Sequence, residues 1–377
     1  MLVMTHQTEN MKQLKIIISG GGSGGHIFPA IAIAKSLQEI DKNIDFLFIG
    51  AKNKMEMEKV PNAGYKIKGL WISGFQRRLS LKNLLFPLKL IYSVFSSFII
   101  IIRFKPDLVI GTGGFASGPI LYVASKKNIP TLIQEQNSYA GITNKILSRH
   151  VNLICVAYEK MERFFPKEKI FITGNPIRKN IINNNYNIEN AIKFFNLNSE
   201  KSTVLVIGGS LGARTINNSI LHGLNIFKVN HLNLIWQTGK AFASKADDAI
   251  KKINTHGINT YSFIKDIDLA YQAADIIVSR AGAIAISELC SIGKPVILVP
   301  SPNVAENHQF KNAQSLVNKN AALMVNDVDA NDKLVETIIN LYNDEQLKEV
   351  LSRNIKKMEV KESSSVIASH ALDLLKK

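Results

Sequence analysis

Cysteine is nearly absent. Cys155 and Cys290 are the only two in 377 residues. Two thiols exclude a disulfide scaffold and a cysteine zinc cluster. Both sit in apolar runs, LICVA and SELCSIG, and read as buried, reduced thiols. The first residues, MLVMTHQTENMKQL, lack an apolar h-region. No signal peptide is therefore expected, and the cytoplasm is the expected compartment. Acidic residues are scarce as well: 30 Asp and Glu face 46 Lys and Arg, a formal charge of +16. Such a charge suggests an anionic partner, whether nucleic acid, acidic lipid or a phosphate-rich substrate. Disorder is excluded by a 46% hydrophobic share against 20% charged. The mean hydropathy is +0.05. Nucleic-acid binders are usually basic and polar, whereas this chain is basic and slightly apolar.

The length gives room for two to three domains at roughly 150 residues each. Short β-branched runs alternate with helix-length segments. KIIISGG (15–21), IDFLFIG (44–50), DLVIGTGG (107–114), IPTLIQE (129–135) and LICVA (153–157) read as buried parallel strands. TVLVIGG (203–209), LNLIWQTG (232–239), DIIVSRAG (275–282) and KPVILVP (294–300) repeat the pattern. Each half opens with a strand, a Gly-rich loop and a helix. The expectation is an α/β protein of two Rossmann-like, doubly wound domains facing across a cleft, with ligands at the carboxyl ends of the strands. The predicted division is a tail at 1–14, a first domain at 15–177, an Asn-rich hinge at 178–200 and a second domain at 201–350. C-terminal helices at 351–377 are expected to pack back toward the first domain.

Several short motifs are weak. Gly20-x-Gly22-x-x-Gly25 fits a dinucleotide fingerprint, but the acidic residue expected after the next strand is missing. The glycines still suit phosphate, because amides at a helix N-terminus hold anions. G-x-S-x-G occurs twice, around Ser23 and Ser210, and D-x-D occurs twice, at Asp266/Asp268 and Asp327/Asp329. Duplicate hits argue for chance. No His/Asp/Glu cluster has metal spacing, so no metal and no cofactor is expected.

From Tyr65 to Pro106 the chain has no Asp or Glu, but Lys66, Lys68, Arg77, Arg78, Lys82, Lys89, Arg103 and Lys105. Trp71, Phe75 and Phe86 are interleaved with these charges, as at a membrane interface. Trp71, Phe75, Arg77, Arg78 and Lys82 are the candidate membrane-binding residues. Across this stretch and the following PLKLIYSVFSSFIIIIR (87–103), positions Leu84, Leu88, Ile91, Phe95, Phe98 and Ile102 fall on one helix face. A core helix of the first domain is the expectation. A helix meeting the membrane surface is the alternative, and a span of about 25 Å is too short for the bilayer core. The charge then points to an anionic membrane surface rather than nucleic acid.

GGGSGGHIFPA (20–30), GTGGFASGP (111–119), QEQNSYAG (134–141), GNPIR (174–178), GGSLGAR (208–214), FIKDI (263–267), SRAGAIAISE (279–288) and ENHQFKNA (306–313) occur in this order. The ordered set closely resembles glycosyltransferase family 28, in particular its bacterial lipid-linked N-acetylglucosaminyltransferases. The likeness runs from about residue 14 to 350 and into the last helices. It implies a GT-B fold and transfer of GlcNAc from UDP-GlcNAc to undecaprenyl-pyrophosphoryl-MurNAc-pentapeptide (lipid I), giving lipid II with inversion. It also implies a peripheral place on the cytoplasmic face of the bacterial plasma membrane, with other cell-wall synthesis proteins as possible partners.

The resemblance implies roles residue by residue. Glu288 anchors the ribose diol. Ala283, Ile284, Ala285, Ile286 and Ser287 form the helix N-terminus that meets the diphosphate. Phe263 and Ile264 flank the uracil. Ser210 and Arg178 match diphosphate or sugar contacts, and Asn137 and Gln309 match contacts to the donor sugar. On the acceptor side, Ser23, Gly24 and Gly25 belong to the first glycine loop. His26 helps deprotonate the acceptor hydroxyl or organises its diphosphate, and Glu135 is a second candidate base. Leu211 and His308 stand where the family often has Gln, which puts those polar contacts in doubt. The rivals are a lipid glycosyltransferase acting on diacylglycerol, a UDP-GlcNAc epimerase, and an inert nucleotide-binding membrane scaffold.

Overall fold

The structure, a computed structural model, describes residues 13–74, 85–178, 181, 187–209, 211–304 and 307–376. The apolar runs form two parallel sheets. The first contains β1 (Lys15–Ser19), β2 (Asp45–Ala51), β3 (Lys66–Leu70), β4 (Leu108–Gly111), β5 (Thr131–Glu135), β6 (Leu153–Val156) and β7 (Ile170–Ile172), in the order β3-β2-β1-β4-β5-β6-β7. Its helices are α1 (Gly24–Ile40), α2 (Glu56–Asn62), α3 (Phe86–Phe104), α4 (Ser117–Lys126) and α5 (Ile142–Leu147). After α6 (Ile188–Phe194), the second sheet contains β8 (Thr203–Ile207), β9 (Asn233–Gln237), β10 (Ile258–Tyr261), β11 (Ile276–Ser279), β12 (Val296–Leu298) and β13 (Leu323–Met324). Its order is β10-β9-β8-β11-β12-β13. Helices α7 (Arg214–His222), α8 (Leu224–Val229), α9 (Ala243–Ile253), α10 (Ile267–Ala273), α11 (Ala283–Ile292), α12 (His308–Val317), α13 (Ala330–Asn343) and α14 (Glu345–Lys356) follow, and α15 (Ser363–Asp373) is last.

Both sheets are doubly wound. The order reverses between β1 and β4 in one and between β8 and β11 in the other, so the loops leaving those strands open at the switch points where ligands bind. The central strands are wholly buried, which is why they read as unbroken apolar runs. The edge strands differ: β3 and β10 have no such run, and β7 (Ile170–Ile172) and β13 (Leu323–Met324) are apolar but very short and not fully buried. Strand β3 alternates between exposed and half-buried before ending in buried Leu70, and Lys66 and Lys68 lie on its exposed side. Lysine on an edge strand deters edge-to-edge pairing. Two charges of the basic segment therefore belong to a sheet edge.

In the stretch expected as a hinge, 178–200, several of the described residues pack with the sheet of the second domain. Ile181, Ala191, Phe195 and Leu197 are buried in that domain's core, and Asn187 caps α6 by accepting a hydrogen bond from the Glu189 amide at 2.9 Å. Helix α14 also stays with the second domain, through Leu351 and Ile355. Helix α15 crosses over. Ile367, Ala368 and Ala371 join Ile27, Ile31 and Leu37 of α1 in the first domain's core. The crossing chain runs against Gly174, where φ is +75° and a Cβ would sit 2.5 Å from Ser363 Oγ. Only glycine suits that point.

Helix α3 departs from expectation. It was read as a core helix, yet its apolar stripe faces outward: Ile91 is 67% exposed, Phe95 63% and Leu88 59%. The buried side holds Ser93, Ser97, Ile100 and Ile101. Ser97 Oγ donates to the Ser93 carbonyl at 2.7 Å, and Ser93 Oγ donates to the Trp71 carbonyl at 3.1 Å. Small, locally satisfied serines allow α3 close to the domain and leave the large side chains outside. By length and composition alone this helix is long and apolar enough to cross a membrane. Both cysteines are buried, and burial pushes each thiol up to about 12.

Candidate active site

The first wall of the cleft is built from the loops after β1, β4 and β5. Ser23 stands at the N-cap of α1, exposed, and its carbonyl accepts the His26 and Ile27 amides at 3.1 and 3.3 Å. Gly24 and Gly25 are the first helical residues. The His26 Nδ1–H is shared between the Thr112 carbonyl at 2.9 Å and Gln136 Oε1 at 3.1 Å. Both partners are acceptors, so Nδ1 carries a proton, and the neutral ring then has its lone pair on Nε2. The ring packs under the next loop: a Cβ on Gly113, which has φ +93°, would lie 2.9 Å from His26 Nδ1.

Glu135, the second candidate base, is engaged by the loop and helix that follow it. It is 2% exposed. Its Oε1 accepts from the Asn137 backbone at 3.1 Å and the Asn137 side chain at 3.2 Å. Its Oε2 accepts from the Gly141 amide at 3.0 Å and Asn144 Nδ2 at 2.9 Å. Four donors occupy the carboxylate, which pins the loop 136–141 and leaves no lone pair directed at a substrate. Asn137 is thereby fixed beside the cleft.

The second wall comes from the loops after β8, β10, β11 and β12. Helix α11 begins with Ala283, Ile284, Ala285, Ile286 and Ser287 at the carboxyl end of β11, and Glu288 follows, 6% exposed. Arg178 Nε and Nη2 donate to Glu288 Oε1 at 3.1 and 2.9 Å, and the Tyr271 hydroxyl donates to Oε2 at 3.2 Å. Burial is the largest single influence on Arg178 and opposes its charge, but Glu288, Tyr271 and Asp268 together outweigh it and hold the guanidinium above its usual range. Burial, then Glu288, push the Tyr271 phenol well above the ordinary value. Two residues assigned to different parts of one ligand are thus each other's partners here.

Phe263 is 37% exposed, and Lys59 of α2 places its ammonium 5.3 Å from the ring centre. The Ile264 amide donates to Gln237 Oε1 at 3.0 Å, and Gln237 Nε2 donates to the Gly209 carbonyl at 2.9 Å. Gln237 therefore joins the loop of Phe263 and Ile264 to the second glycine loop. Gln309 Oε1 accepts the Ser301 amide at 2.8 Å. Leu211 is 86% exposed, and His308 lies edge-on to Tyr139 at 5.8 Å. Ser210 falls outside the described residues, as do Phe75, Arg77, Arg78 and Lys82; Trp71 is described and is 43% exposed. Asp327, half of one D-x-D pair, is explained by an ion pair with Arg280 at 2.5 Å.

A buried amide chain joins the walls. Gln134 Nε2 donates to Asn175 Oδ1 at 3.0 Å, and Asn175 Nδ2 donates to the Gln136 carbonyl and to Ser287 Oγ, both at 3.1 Å. Ser138 Oγ donates to Asn312 Oδ1 at 3.2 Å farther along. Sequence reasoning missed Thr112, Gln136, Asn175, Gln237 and Tyr271. Asn175 was within reach, since it stands in the quoted GNPIR.

Two Rossmann-like domains, with a histidine on one rim and an acid–arginine pair beside a helix N-terminus on the other, define a GT-B glycosyltransferase architecture. Family models for the glycosyltransferase family 28 N-terminal and C-terminal domains match residues 16–156 and 203–367. The chain belongs to glycosyltransferase family 28. Relatives named UDP-N-acetylglucosamine–N-acetylmuramyl-(pentapeptide) pyrophosphoryl-undecaprenol N-acetylglucosamine transferase come from Christiangramia forsetii, Flavobacterium psychrophilum and Cytophaga hutchinsonii. They are 50%, 49% and 53% identical over 96%, 97% and 91% of this chain, and 98%, 99% and 92% of their own lengths. Among solved structures, MurG of Acinetobacter baumannii aligns with a TM-score of 0.74 at 24% identity, over 96% of this chain and 99% of that one. A UDP-GlcNAc 2-epimerase from Neisseria meningitidis aligns at 0.67 with 15% identity, over 96% and 100%. The fold is shared by both classes, so it does not choose the reaction.

Proposed function

We propose that this chain transfers GlcNAc from UDP-GlcNAc to the MurNAc of lipid I, forming β-1,4-linked lipid II with inversion, at the cytoplasmic face of the plasma membrane. The supporting observation is one cleft with His26 on one wall and Glu288 and Arg178 on the other, in a chain half-identical over nearly its full length to enzymes bearing that name. His26 Nε2 takes the proton from the acceptor hydroxyl as that oxygen attacks the anomeric carbon. The ribose diol binds Glu288 Oε1 and displaces Arg178, which turns to the diphosphate. The departing UDP charge is stabilised there and at the N-terminus of α11. The exposed face of α3 rests on the membrane, with Lys89, Lys126 and Lys127 meeting anionic headgroups. These cations already lie 5.7, 5.7 and 4.7 Å from the ring centres of Trp71, Tyr122 and Phe98.

The test is radiolabelled UDP-GlcNAc offered with a lipid I analogue or with diacylglycerol. Label should pass to the lipid I analogue alone, and Glu288→Ala should abolish transfer. Label on diacylglycerol, or UDP binding with no transfer to either lipid, overturns the proposal.

A further inference from the structure

Glu56 has no part in the roles above, yet it is 0% exposed. It opens α2 directly beneath the first glycine loop. The Gly22 amide donates to both carboxylate oxygens at 3.2 Å, and the Ala51 amide donates to Oε1 at 2.9 Å. Among the described residues no cation pairs with it. Burying a carboxylate on backbone amides alone is costly. An apolar side chain would fill the space more cheaply, so the carboxylate itself has a use.

The surroundings are shaped to admit it. A Cβ on Gly21 would lie 2.3 Å from Glu56 Oε1, and one on Gly50 would lie 2.5 Å from its Cγ. Gly22 turns at φ +87° under the Phe115 ring, and a Cβ on Gly114 would lie 2.2 Å from the Gly21 carbonyl. The carboxylate thus holds Gly22 at the turn that delivers Ser23, Gly24, Gly25 and His26 to the cleft. It also turns the Gly22 amide inward, so the anion-facing amides of this loop are those that follow.

We infer that Glu56 is a positioning residue for the acceptor side of the reaction: it clasps the first glycine loop and sets His26 and the acceptor-binding amides in register. The inference rests on the proposed role of that loop. Glu56→Gln keeps the volume and the Oε1 acceptor, but it removes the charge and puts an –NH2 where Oε2 accepts from the Gly22 N–H, donor against donor. With a lipid I analogue, kcat should fall roughly 10–100-fold and the acceptor KM should rise, because small misplacement of reacting groups is costly. The KM for UDP-GlcNAc should stay within about twofold, because the donor wall is untouched. Hydrogen exchange across 20–25 should quicken while the second domain is unchanged. Unchanged kcat and acceptor KM, or equal changes in both KM values, overturn the inference. Unchanged exchange at 20–25 also overturns it, and that arm needs no turnover. Absence of transfer by the wild type would instead sink the functional proposal and leave the clasp to the exchange result.

Discussion

At the scale of single residues, the site is a set of side chains whose proton and charge states are fixed by neighbours. His26 owes its available Nε2 to two acceptors at Nδ1. His26→Ala should therefore lower kcat by roughly 10²–10⁴-fold while the KM for UDP-GlcNAc stays near wild type. Steady-state kinetics with a lipid I analogue check this, and near-normal turnover would remove the histidine from the chemistry. His26 and Glu288 were visible in the sequence because each closes a distinctive glycine- or small-residue run. The pairing of Glu288 with Arg178 was not visible, since 110 residues separate them. Glu135 shows the same limit from the other side. Its residue type suits a base, but only the tertiary arrangement reveals four donors around it.

At the scale of elements, α3 carries the functional surprise. Its periodicity was legible, but periodicity gives a face and not a direction. The side that packs on the domain is the serine side, and the large apolar side is left without cover by the described residues. A double change, Ile91→Glu with Phe95→Glu, should cost little stability, because both side chains are exposed. It should abolish flotation with anionic vesicles while leaving turnover of a water-soluble acceptor analogue near wild type. Unchanged flotation would mean that this face does not meet the membrane. Edge strands such as β3 were missed for a related reason: one side faces water, so no continuous apolar run announces them.

At the scale of the whole molecule, two domains are joined by the chain near Arg178 and again where α15 returns to α1. Ile367 is wholly buried against the first domain. Ile367→Ala should destabilise the protein by about 2–5 kcal/mol. Denaturant unfolding should show the loss in the transition that includes the first domain, and an unchanged midpoint would mean that α15 is not part of that core. The sequence by itself determined two parallel α/β domains and the placing of glycine loops at strand ends. Buried strands and tight turns are written in local runs of β-branched residues and glycine. It also determined the family, through motifs kept in order. Only the tertiary structure decided which carboxylates are occupied, which face of α3 is uncovered among the described residues, and that of the C-terminal helices α15 crosses to the first domain while α14 stays with the second. Those outcomes depend on contacts between residues far apart in the chain, and no local pattern encodes such partners.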